Sequence, residues 1–86
     1  MKQITVTIQD RDGIHARPAG ILVQRMQGFP CAVTLRKGDR TADCKRLFAV
    51  MKLAVRCGES VELTAEGERE DEAIAAVQAA FAELGL

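Results

Sequence analysis

The chain carries a single histidine, His15, within the run Gly13-Ile14-His15-Ala16-Arg17-Pro18-Ala19. A neutral imidazole nitrogen is a nucleophile that can accept a phosphoryl group. The residues after it suit that chemistry. Pro18 has a φ already set for helix entry, and near a helix start its missing N–H costs nothing, so a helix is predicted to begin here. The first amides of a helix have no intrahelical acceptor, and with the positive end of the helix dipole they attract a dianion. Ala16 is small enough to leave the backbone amides of Ala16 and Arg17 accessible to phosphate. The Arg17 guanidinium can add a charge-assisted contact to the phosphate oxygens. Taken singly, each of these residues has a plainer role: a histidine before a helix often serves as a cap, and an arginine there often as a solvated side chain.

Other routes to chemistry find little support. Cys31, Cys44 and Cys57 form no C-x-x-C pair, and with one histidine in the chain no metal site is expected. They read as small, partly buried thiols of a reducing compartment. Cys31 and Cys44 do flank the Lys37-Gly38-Asp39 turn about symmetrically, which would let them face one another across a hairpin. Twelve basic residues balance twelve acidic ones, and Trp and Tyr are absent, so nucleic acid is not an expected partner. No apolar run approaches the ~18–20 residues that span a bilayer, so direct membrane insertion is not expected. Met1 to Thr5 alternates like a strand and lacks the apolar stretch of a signal peptide, so the cytoplasm is the expected location.

The elements that must position His15 can be read from periodicity. Ile4, Val6 and Ile8 alternate with threonines and predict a strand with one buried face. Asp10 to Gly13 forms a turn. Ala19, Leu22, Val23 and Met26 recur at helical spacing over Ala16 to Gln27, with Gly28 as the stop and Pro30 just beyond. Cys31, Val33 and Leu35 alternate in a second strand, which turns at Lys37-Gly38-Asp39 into a third, Arg40 to Asp43. Leu47 to Ala54 is a short helix whose apolar residues Leu47, Val50, Met51 and Ala54 form one stripe. Val61, Leu63 and Ala65 mark a fourth strand ending at Gly67. The last helix presents Ile74, Val77, Phe81 and Leu84 as a stripe, with Ala73 and Ala80 beside it. Its first turn is acidic, as the dipole prefers, and Gly85 closes it. At 86 residues, one domain over 1–86 is expected, an antiparallel α+β sheet with helices packed on one side. A chain this short leaves little room for a deep active site, so its chemistry belongs at the surface and needs a partner.

The block Gly13 to Ala19, the segment Lys45-Arg46-Leu47-Phe48-Ala49-Val50-Met51, and Ala65-Glu66-Gly67 ahead of an acidic helix start resemble the HPr family. These are phosphocarriers of the phosphoenolpyruvate:sugar phosphotransferase system, and the resemblance spans essentially the whole chain. It implies an open-faced β-sandwich, four antiparallel strands covered on one face by three helices in the order βαββαβα. It also implies that His15 takes a phosphoryl group at Nδ1 from phosphorylated enzyme I and passes it to a sugar-specific enzyme IIA. Arg17 matches the family's phosphate-binding arginine. Leu47, Phe48 and Met51 match its exposed apolar docking patch, which splits the stripe that periodicity alone would bury. No cofactor and no independent turnover are expected, and a monomer is.

One position departs from the family pattern. Many members carry a serine that a kinase phosphorylates just before the apolar helix; Arg46 stands there in this chain, and arginine cannot accept that phosphate. Two cations, Lys45 and Arg46, would instead favour acidic partner surfaces. Three alternatives compete with a sugar-system carrier. One is a related carrier serving a regulatory or dihydroxyacetone-kinase branch, another a small acylphosphatase-like enzyme, and the third a non-catalytic binding module. The phosphatase reading leaves His15 without a role and finds no matching phosphate loop.

Overall fold

Val33 and Leu35 on one strand, and Val61, Leu63 and Ala65 on its neighbour, alternate with polar residues; such a pattern can bury only one face of a sheet. In the computed structural model, which describes residues 1–86, those strands form the middle of a four-stranded antiparallel sheet. The elements run β1 (Lys2–Thr7), α1 (Ala16–Met26), β2 (Ala32–Lys37), β3 (Arg40–Asp43), α2 (Leu47–Lys52), β4 (Ser60–Glu66) and α3 (Glu70–Glu83). The strand order across the sheet is β1-β4-β2-β3. Ile4 pairs with Leu63 and Val6 with Val61, while Leu35 meets Leu63 on the other side of β4, so apolar residues share one face. The three helices cover that face and leave the other open, as expected.

Twenty-two buried apolar residues form one cluster, with no charged or polar side chain among them. Ala19, Leu22, Val23 and Met26 of α1 all enter it. Truncating one of the largest, Leu22→Ala, is expected to cost about 2–5 kcal/mol through lost burial and the cavity left behind.

Periodicity misplaced some residues. Ile8 lies beyond the end of β1 yet is fully buried, because the chain turns inward there and its amide bonds Glu59 O at 2.9 Å. The buried stripe of α3 is Ala73, Val77, Ala80 and Phe81, while Ile74 and Leu84 are half-buried. Ala73 and Ala80 are both fully buried, so the contact line is rotated toward them. The helix α2 ends at Lys52, and Ala54 adopts a left-handed φ of 50° outside it. Cys31 and Cys44 are buried free thiols, whereas Cys57 is exposed. Burial pushes the Cys44 thiol up to about 12, with the nearby Asp43 charge adding to the effect.

Candidate functional site

The turn ahead of α1 is built around glycine for a steric reason. Gly13 has a φ of +68°, and a Cβ there would lie 2.1 Å from the carbonyl oxygen of Val55. That close approach lets Ile14 N donate to Val55 O at 3.0 Å, while Gly13 N closes the turn onto Asp10 O at 2.8 Å. The chain then enters α1 with His15 as its N-cap residue in an extended conformation. The imidazole is half-exposed at the surface, with 40% of its side chain accessible.

Nothing within the chain fills this helix start. His15 makes no side-chain cap, and the first turn of α1 holds no acidic residue. The Ala16 and Arg17 amides find no backbone or side-chain acceptor, while the next available amide, that of Ala19, bonds His15 O at 3.0 Å. Pro18 has no amide to offer. Two donors therefore point outward beside the ring, where an anion would satisfy them. His15 and Arg17 line one shallow hollow of ≈ 290 Å³ with Asp10, Pro18, Ile21 and Leu84. A larger hollow of ≈ 570 Å³ between β1 and α3 is lined by no acidic, basic, histidine or cysteine side chain.

Asp10 is the residue at this candidate site that sequence reasoning missed. Its Oδ2 lies 3.2 Å from His15 Nε2, and its Oδ1 accepts the Asp12 amide at 2.9 Å. The Asp12 amide, above all, and the His15 ring hold its carboxyl below the usual carboxylate range. A carboxylate at Nε2 keeps the ring proton there and leaves Nδ1 as the lone-pair nitrogen. The only local signal was an aspartate opening a turn five residues upstream, which reads as turn chemistry alone. Asp10, Asp12 and His15 also bring one potential metal-ligand atom each within 4.8 Å of one another. Both Asp10 oxygens already accept hydrogen bonds, so this trio is better explained as a ring-orienting network than as a metal centre.

The predicted apolar patch lies on α2, which packs against α1. Phe48 is 79% exposed, the most exposed large apolar side chain in the protein. Leu47 and Met51 are half-buried and rest against the core, and Val50 is buried. Both readings of the stripe are therefore partly right: Val50 is core, Phe48 is surface, and the other two lie at the boundary. Arg46, exposed at the N-cap of α2, shares a second hollow of ≈ 460 Å³ with Leu47, Phe48, Ala49 and Lys52. Met51 is outside that hollow. Ile21, exposed beside His15, adds a further apolar side chain that the helical stripe did not single out.

An open-faced sheet layered with helices, bearing one surface imidazole at an unfilled helix start, defines the class of small histidine phosphocarriers. The comparisons place the chain within it. Residues 2–83 match the family model described as the PTS HPr component phosphorylation site, so the chain belongs to the HPr family of the phosphotransferase system. The phosphocarrier protein HPr of Lysinibacillus sphaericus is 40% identical over 86 residues, covering 100% of this chain and 98% of its own. The phosphocarrier protein NPr of Escherichia coli (strain K12) is 42% identical over 78 residues, covering 90% of this chain and 87% of its own. A solved histidine-containing phosphocarrier protein of Mycoplasma superposes with a TM-score of 0.97 at 27% identity, covering 99% of this chain and 97% of that one. No helix is long and apolar enough to cross a membrane.

Proposed function

We propose that this HPr-type phosphocarrier relays a phosphoryl group from phosphorylated enzyme I to a sugar-specific enzyme IIA, with His15 Nδ1 as the carrying atom. The observation that supports it most is the 3.2 Å contact between Asp10 Oδ2 and His15 Nε2 beside two unsatisfied amides. The Nδ1 lone pair attacks phosphorus, and the donor's bond to phosphorus breaks with its electron pair left on enzyme I. Positive charge that develops on the ring is balanced through Nε2–H by the Asp10 carboxylate. The Ala16 and Arg17 amides and the Arg17 guanidinium hold the phosphoryl oxygens. In the second half of the relay the N–P bond breaks, and its electrons return to Nδ1.

Leu47, Phe48 and Met51 form the docking patch in this reading, with Arg46 and Lys52 facing acidic groups on the partner. The exposure of Phe48 supports that role, since brief docking needs apolar area that is free between encounters. In this reading the carrier acts as a cytoplasmic monomer of one domain. A second reading, a carrier for a regulatory branch, is favoured by Arg46 in place of the regulated serine.

Mixing the protein with enzyme I and labelled phosphoenolpyruvate tests the relay. Acid-labile, alkali-stable label on the wild type and none on His15→Ala is the expected result. An unlabelled wild type under conditions that charge a known carrier would overturn the reading. Transfer onward to a sugar-specific rather than a regulatory enzyme IIA then separates the two branches.

A further inference from the structure

Outside the site, one side chain has every donor engaged in holding another segment. Lys37 Nζ donates to Leu53 O at 3.2 Å and to Ala54 O at 3.1 Å, and meets Glu59 Oε1 at 3.1 Å. An ammonium has three protons, and here three acceptors face it. The same Glu59 oxygen accepts the Arg56 amide at 2.7 Å, which draws residues 53–59 into a closed clasp around Lys37. Within it Ala54 keeps a φ of 50°, a left-handed conformation that a non-glycine residue holds only when its surroundings enforce it.

The far side of that clasp supports the loop before His15. Val55 O accepts Ile14 N at 3.0 Å, Gly58 N donates to Ile8 O at 2.8 Å, and Ile8 N donates to Glu59 O at 2.9 Å. Gly13 sits so close to Val55 and Arg56 that no Cβ would fit between them. Residues 8–14, which include Asp10 and lead directly into His15, are thus fastened to a segment that Lys37 fastens in turn.

We propose that Lys37 is a positioning residue for the phosphoryl-accepting site: by clasping residues 53–59 it sets where Val55 O lies, and through Ile14 the placement of His15 against Asp10. The proposal rests on the reading of His15 as the acceptor. Lys37 touches neither the imidazole nor the incoming group, and it acts only through the segment it holds. Geometry passed along such a chain matters because small displacements of a reacting atom cost large factors in rate.

The test uses the full chain. Lys37→Met keeps most of the aliphatic stem and removes all three donors. Expected results are about tenfold faster hydrogen exchange at the Ile14 amide and about tenfold slower phosphoryl transfer from enzyme I. The ¹⁵N signals of His15 Nδ1 and Nε2 should also move toward one another, as the ring samples its second tautomer. Lys37→Arg, which keeps a cation and several donors, should recover most of the transfer rate. Arg36→Met removes the adjacent cation, whose carboxylate partner is Glu62, and should leave all three readings at wild-type values.

Unchanged His15 ring signals and Ile14 exchange in Lys37→Met would overturn the proposal. So would equal changes in Arg36→Met. If Lys37→Met does not fold, Glu59→Gln decides the matter, since it weakens the clasp while sparing the carbonyl contacts; the same shifts at smaller size are expected, and their absence overturns it. Should the wild type take no label from enzyme I, the relay falls, yet the ring and amide signals still decide the role of Lys37.

Discussion

Two helices of this protein begin in opposite ways. At the start of α3 the chain supplies its own counter-charge. Glu70, Asp71 and Glu72 fill the first turn, Glu70 Oε1 accepts the Gly67 amide at 3.1 Å, and Glu70 Oε2 lies 2.8 Å from the Met1 amine. Asp71 pairs with Lys2, and Glu72 with Arg69. At the start of α1 there is no acidic residue, no cap and no acceptor for two of the amides. The electrostatics of a helix terminus is the same in both places. One terminus is closed by the protein's own carboxylates and contributes to stability. The other stays open, with two amides that nothing in the chain satisfies.

Giving α1 what α3 has should produce the largest effect. Ala16→Glu puts a carboxylate in the open first turn, where it should raise stability by about 0.3–1 kcal/mol. It should also slow phosphoryl transfer by roughly a hundredfold or more, because the like charge repels the incoming dianion and occupies its donors. Denaturant melts and the labelling assay read the two sides; faster or unchanged transfer would break the contrast. Next in size, Arg17→Ala should slow transfer by about tenfold with little change in Tm, the loss expected for one charge-assisted contact at an exposed site.

A smaller effect is expected on α2. Phe48→Asp should raise the KM for enzyme I several-fold, with stability within about 0.5 kcal/mol of wild type, because a side chain this exposed loses little on folding. A large drop in Tm would return Phe48 to the core. The smallest effect belongs to the closed end. Glu70→Gln should lower stability slightly and leave transfer unchanged.

That loss has a defined pH dependence. The Met1 amine, and then the Gly67 amide, hold the Glu70 carboxyl below its ordinary value of 4.5. The Arg56 amide and then Lys37 do the same for Glu59. The folded state binds these protons less readily than the unfolded chain. The resulting stabilisation is complete above the ordinary carboxylate value and is lost as pH falls through the lower folded values. Wild type and Glu70→Gln should therefore converge in urea midpoint on acidification, and a gap that widens toward low pH would contradict the assignment.

How much of this the sequence disclosed depended on distance along the chain. The alternation through Val33 and Leu35, and through Val61, Leu63 and Ala65, marked both central strands, because each of those strands buries one face along its whole length. The α1 stripe was legible for the same reason. The face of α3 was not: Ala73 and Ala80 look featureless beside Ile74 and Leu84, yet they are the ones fully buried. At the site, His15, Arg17 and the free amides could be read because they are consecutive. Asp10 could not, since its contact with His15 needs the tight turn at Gly13, and that turn fits only because residues 53–59 lie against it. A pairing set by tertiary contact leaves no local period to detect.

The hollow at His15 is shallow, and 40% of the imidazole side chain meets solvent. A phosphoramidate seated there stays within reach of bulk water, so the charged form of the protein is perishable. Its usefulness is bounded by a race between hydrolysis and the next collision with an acceptor. The same openness that would let two different partners approach one nitrogen in the proposed relay thus sets a shelf life on what it would carry.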